Sequence, residues 1–215
     1  YLQTGRKDTI YSPYSNLFQQ NMPAWSDASP WATTELQKAS DAMLIPDILK
    51  GADLTLPITR EEFAELAVLL YESATGKASE AATPNPFTDT MNVQILKAYA
   101  LGITKGTSPT LFSPEQYITR EQCATMLFRD LQAISPTTDF STTGIADFAD
   151  QKYISAYAVQ ATKFMSKIGI VKGDAVGRFM PRSTTSKELA AKYGMATREQ
   201  AILMSYRIYD AYKVQ

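Results

Sequence analysis

The sequence predicts an all-α protein assembled from three divergent copies of one helix–loop–helix unit. Two observations predict it. The triplet Thr-Arg-Glu recurs at Thr59, Thr119 and Thr197, spaced by 60 and 78 residues, and self-similarity along a chain is the mark of a repeat architecture. Each triplet is followed by apolar residues at the spacing of one helix face. These are Phe63, Ala64, Leu66, Ala67 and Leu70 in the first unit, Cys123, Ala124, Met126, Leu127 and Leu131 in the second, and Ala201, Ile202, Met204 and Ile208 in the third. Strand signals are weak throughout.

Further landmarks precede each triplet in the same order. The second unit has Pro86-Phe87-Thr88-Asp89, then Gly102-Ile103-Thr104-Lys105-Gly106, then Phe112-Ser113-Pro114. The third has Phe148-Ala149-Asp150, then Gly169-Ile170-Val171-Lys172-Gly173, then Phe179-Met180-Pro181. The first is more worn, with Trp25-Ser26-Asp27, Leu44-Ile45, Lys50-Gly51 and Leu56-Pro57. The first helix of each unit is predicted at 31–44, 92–101 and 154–168, and the second runs from the threonine to Ala74, Ala133 and Ala211. The expected organisation is an arm or linker at 1–24 and units at 25–76, 84–134 and 145–213. The third unit carries an insertion at about 182–196 that reads as a short extra helix.

Composition narrows the chemistry. The 215 residues include 21 Lys and Arg against 22 Asp and Glu, a net charge of −1. Nucleic acid and anionic membranes usually select a basic face, so neither is expected as partner. The chain has 0 His, which removes the commonest general base and metal ligand. The one cysteine, Cys123, lies on the apolar helix face and reads as core. No apolar run approaches a membrane span. No signal peptide is visible at Tyr1, no phosphate-binding glycine loop of standard spacing appears, and no cluster suggests a metal or cofactor.

The triplet itself divides into two roles. Each threonine is followed three residues later by Glu62, Gln122 or Gln200, the capping-box pattern of a helix start. Arg60, Arg120 and Arg198 are not explained by capping, because a cation at the first helical position opposes the helix dipole. A surface salt bridge with Glu61, Glu121 or Glu199 is one reading. The other is an anion site, in which the free N–H groups of the helix start and a planar guanidinium meet a carboxylate or phosphate. Trp25, Trp31, Phe87 and Phe148 are either core or sugar-stacking residues, and Asp27, Asp89 and Asp150 are candidate acceptors for sugar hydroxyls. Gly106 and Gly173 permit a positive-φ turn and a close approach of ligand to backbone.

These landmarks resemble the S-layer homology (SLH) family. The best matches are Pro57-Ile58-Thr59-Arg60-Glu61 with Phe63-Ala64 and Tyr117-Ile118-Thr119-Arg120-Glu121 with Cys123-Ala124, followed by Ala196-Thr197-Arg198-Glu199 with Ala201. The resemblance implies a pseudo-threefold trimer of repeats within one chain, a central helical bundle and grooves between repeats. It implies a bacterial cell-surface, non-catalytic module, monomeric and without cofactor, that anchors proteins to anionic, pyruvylated secondary cell-wall polymers. Arg60, Arg120 and Arg198 become the carboxylate binders, with Asp27, Asp89, Trp31, Gly106 and Gly173 as weaker groove candidates. The first unit departs by lacking the Gly-x-x-x-Gly turn, and the third by its insertion beside the expected groove. Surface-array assembly through protein contacts is the alternative, and a wall-acting glycoside hydrolase is the more distant one.

Overall fold

A computed structural model describes residues 27–214. The expected arm at 1–24 and Trp25 lie outside them. The described residues form an all-α fold of seven helices: α1 Thr33–Asp41, α2 Arg60–Thr75, α3 Val93–Ala100, α4 Arg120–Ile134, α5 Val159–Lys167, α6 Ser186–Ala190 and α7 Arg198–Tyr212.

The long helices begin where the triplets place them. Thr59, Thr119 and Thr197 each accept a hydrogen bond from the backbone N–H three residues on, and Glu62, Gln122 and Gln200 reach back to the threonine amide. A fourth capping box, Thr185 with Glu188, starts the short helix of the insertion. The short helices α1, α3 and α5 end alike, on a left-handed residue whose successor donates back into the last turn. That residue is Gly102 (φ 76°) and Gly169 (φ 76°) in two units, but Met43 (φ 56°) in the first.

Helices α2, α4 and α7 contact one another pairwise and bury their apolar faces between them. Each short helix docks on the long helix of the preceding unit, not on its own: α3 on α2, α5 on α4 and α1 on α7. The three units therefore interlock in a circle. Backbone bonds close the circle: Ile58 N–H donates to Ala196, Ala196 to Ile118 and Ile118 to Ile58, at 2.9, 3.2 and 3.2 Å.

The core follows the predicted faces, with Met204 half-buried at a groove wall. Cys123 is fully buried, and burial pushes its thiol up to about 12, which leaves it unreactive at neutral pH. Asp130 breaks the apolar pattern of the core most strongly, with Thr162 and Ser205 also fully buried. Asp130 is fully buried and neither carboxylate oxygen has a hydrogen-bond partner among the described residues. At the same position after their arginines stand Leu70 and Ile208. Desolvation holds the Asp130 carboxyl well above the usual carboxylate range.

Candidate functional site

The start of each long helix is built across two units. Arg60 N–H donates to Gln116 and Glu61 N–H to Pro114 of unit two. Arg120 and Glu121 donate likewise to Gly194 and Pro181 of unit three, and Arg198 and Glu199 to Leu56 and Leu54 of unit one. This corrects the expectation of free N–H groups at the helix starts. The neighbouring loop supplies the carbonyls, so an anion here meets the guanidinium and not the backbone. It also corrects the worn first unit: Leu54, not Pro57, stands at the place of Pro114 and Pro181. The insertion leaves this frame intact, because Pro181 just before it and Gly194 near its end both accept from α4. At its neck a Cβ on Gly194 would lie 2.6 Å from the Arg182 backbone, so only glycine lets the two strands of chain close there.

The glutamates of the triplets do not offset the arginines. They latch the next unit. Glu61 accepts from the Asn92 side-chain amide at 2.8 Å, Glu199 from Ser29 N–H and Oγ at 2.9 and 2.8 Å, and Glu121 from Ser155 N–H and Oγ at 2.8 and 2.9 Å. Glu121 also meets Arg182 at 2.7 Å.

The arginines then point into grooves between units. Arg60 is buried, donates through Nε to the Phe112 carbonyl at 2.7 Å and lies over the Phe112 ring at 4.8 Å. Its cleft, about 350 Å³, is lined by Lys105, Gly106, Gln122, Arg129 and Tyr157 among others, with three cations and no carboxylate. Arg120 repeats the arrangement, with Nε on the Phe179 carbonyl at 3.0 Å and the guanidinium over that ring at 5.3 Å. Its terminal nitrogens make only long contacts, 3.4 Å each, to Gln200 and the Lys172 carbonyl. The Arg120 cleft is smaller, about 110 Å³, and is walled by Trp31, Lys172, Gln200 and Arg207. Desolvation lowers the pKa of both Arg60 and Arg120. Each stays charged at neutral pH, and a partly desolvated cation gains more from an anion than an exposed one does.

Arg198 differs. Its Nε and Nη2 grip the Glu62 carboxylate at 3.0 and 2.6 Å, and Nη1 donates to the Asp53 carbonyl at 2.9 Å. Those bonds to Glu62 raise its pKa. A larger cleft of about 470 Å³ lies on this side of unit one, but Asp47, Glu65 and Glu72 line it against one cation, Lys50, and it does not include Arg198.

The weaker candidates fall in several places. Trp31 is 60% exposed and walls the Arg120 groove. Asp89 is committed to the backbone: it accepts from Phe112 and Ser113 N–H at 2.9 and 2.8 Å, and the Phe112 bond is the chief reason its pKa is lowered. Asp150 braces Phe179 and Met180 in the same way. Asp27 is exposed on a turn, and no loop amide among the described residues donates to it. Gly106 has φ 77°, and a Cβ there would stand 2.6 Å from the Leu111 carbonyl and the Phe87 ring, so its own loop demands glycine. Gly173 is not at positive φ, which corrects the expectation. A Cβ there would come within 3.1 Å of the Arg178 carbonyl, so the constraint is steric. Phe87 and Phe148 pack on Phe112 and Phe179, beneath the arginines.

Three groove residues, Tyr157, Arg129 and Arg207, went unread in the sequence. Tyr157 occupies in the Arg60 groove the place Trp31 holds in the Arg120 groove, and each stands two residues after a latching serine, Ser155 or Ser29. Arg129 follows Arg120 by the same interval at which Arg207 follows Arg198.

Among the described residues, the Arg60 and Arg120 grooves each combine a guanidinium with an aromatic ring beneath it on an all-helical scaffold. Residues 94–124, from α3 to the start of α4, match the S-layer homology domain, which associates the chain with the cell surface and the cell wall. The chain is 27% identical over 152 residues to an endoglucanase of Bacillus sp. (strain KSM-635), covering 68% of this chain and 16% of that protein. It is 26% identical over 158 residues to the exoglucanase XynX of Acetivibrio thermocellus, covering 71% of this chain and 13% of that one. The chain thus spans a small fraction of either relative.

Proposed function

We propose that the chain is a non-catalytic anchoring module in which three S-layer homology repeats form a pseudo-threefold trimer that binds an anionic, pyruvylated secondary cell-wall polymer at the bacterial surface. The observation that carries this is the Arg60 groove. A buried guanidinium, its aromatic floor and two further cations share a cleft whose lining contains no carboxylate. A planar carboxylate on a sugar fits the unengaged edge of such a fork, and an exposed aromatic at the wall, Tyr157 or Trp31, stacks on the sugar ring. Glycoside hydrolysis needs a carboxyl pair across the cleft. The grooves at Arg60 and Arg120 have none in their linings, and the matched segments are small parts of the two glucanases. The module works as a monomer, its partner being the wall glycan.

The test is co-sedimentation with purified wall polymer before and after chemical removal of pyruvate. Arg60→Ala or Arg120→Ala is expected to weaken binding about 10- to 100-fold per groove, the worth of a charge-assisted contact of about 1.5–3 kcal/mol. Helical content stays unchanged. Equal binding by the double variant, or by depyruvylated polymer, overturns the reading.

A further inference from the structure

We infer that the Arg198 groove is closed by the chain's own Glu62, which occupies the guanidinium as a bound carboxylate would, so that two grooves bind ligand and the third does not. The inference rests on the anion-binding reading above. Glu62 meets Arg198 with both oxygens, at 2.6 and 3.0 Å, and is 8% exposed. The remaining terminal nitrogen is taken by the Asp53 carbonyl. Every nitrogen of this fork has a close partner, whereas Arg60 uses only Nε among the described contacts and Arg120 uses its terminal nitrogens at 3.4 Å.

The cause is one residue type at one register. The third position after each capping threonine is Glu62, Gln122 or Gln200. All three serve the same capping box. Gln200 faces Arg120 and Gln122 lines the Arg60 groove with a neutral amide, but Glu62 faces Arg198 with a charge. Glu62 is held in place by the Thr59 amide at 2.9 Å, so it competes with no loss of translational freedom. An incoming anion has to displace it and leave a carboxylate buried without its partner.

Two independent substitutions agree. The aromatic wall, Tyr157 or Trp31, is Gln94 at the matching place beside unit one, two residues after the latching Asn92. The second cation, Arg129 or Arg207, is Leu69. The neighbouring cleft is acidic, which opposes an anion further.

The test counts sites. The full chain is titrated calorimetrically with a hexosamine methyl glycoside bearing a ketal-linked pyruvate. The expected stoichiometry is two for the wild type, two for Arg198→Ala, one for Arg60→Ala or Arg120→Ala, and three for Glu62→Gln, the third site being weaker than the other two because Gln94 and Leu69 replace the aromatic wall and the second cation; the variant keeps the cap because glutamine already serves it twice. Affinity at the two open grooves stays within twofold in Glu62→Gln. A wild-type count of three, a lost site in Arg198→Ala, or a count of two in Glu62→Gln overturns the inference. A count of zero in the wild type overturns the glycan reading instead, and acetate then decides the inference. In a ¹⁵N-labelled chain, acetate is expected to shift the Nε–H signals of Arg60 and Arg120, and that of Arg198 only in Glu62→Gln. An Arg198 shift in the wild type overturns it.

Discussion

Replacing Glu121 with alanine tests whether the circle of units is held by its latches. The carboxylate is 2% exposed and accepts from Ser155 N–H at 2.8 Å and Ser155 Oγ at 2.9 Å, with Tyr157 Oη farther off at 3.4 Å. Hydrogen bonds to a charged acceptor are worth about 1.5–3 kcal/mol each. The Ser155 hydroxyl can turn to water, but its N–H is left without a partner. The ion pair with Arg182 adds little, since that arginine's side chain is 41% exposed and re-solvates. The expected loss is therefore about 3 kcal/mol, a large share of the 5–15 kcal/mol that holds a typical domain. Urea denaturation followed by helical circular dichroism measures it. Glu121→Gln keeps an acceptor oxygen and is expected to lose about half as much, while Glu115→Ala on the exposed loop should change nothing. A double-mutant cycle with Ser155→Ala is expected to show coupling of about 1–2 kcal/mol. A loss under about 1 kcal/mol for Glu121→Ala, or no coupling, refutes the latch.

Asp130→Leu is expected to stabilise the fold at pH 7 by about 1–3 kcal/mol, because it removes a buried carboxyl without partners and restores the residue type of Leu70 and Ile208. The raised pKa of Asp130 means that the native state holds its proton above the unfolded value of about 3.9, so the part of its penalty that comes from titration grows as pH rises from about 4 and is absent below it. The stability difference between variant and wild type, measured by urea denaturation at pH 4 and pH 8, should accordingly widen with pH; a constant difference counts against a neutral carboxyl. Met43→Gly is expected to add about 0.5–1 kcal/mol, since it relieves a left-handed conformation (φ 56°) that Gly102 and Gly169 adopt freely in the other units. A lowered melting temperature in that variant contradicts the assignment.

What the sequence made legible was local. Capping boxes, apolar faces and the short insertion helix depend on residues a few positions apart, and they stand where the pattern puts them. What it hid depends on partners from other units. The helix-start amides look free along the chain, yet Gln116, Gly194 and Leu56 reach them across it. Glu61, Glu121 and Glu199 look like local counter-charges, but their partners lie 31, 34 and 170 residues away. The pairing of Glu62 with Arg198 spans 136 residues, so one letter separating glutamate from glutamine looked like an interchangeable cap. Leu56-Pro57 passed for the loop landmark because Pro57 precedes the helix, whereas the hydrogen bond to Leu54 reveals the true register.

The small circle of bonds through Ile58, Ile118 and Ala196 has a topological consequence. Each residue gives its N–H to one neighbour and its carbonyl to the other, so none has a hand left over. A stacked solenoid can lengthen by duplication because its last copy offers the next the same surface as every inner copy. Here a fourth unit has nowhere to join, and loss of one strands a donor and an acceptor at the centre. Extra residues inside the circle fit as excursions such as the one between Pro181 and Gly194, which leave those bonds untouched.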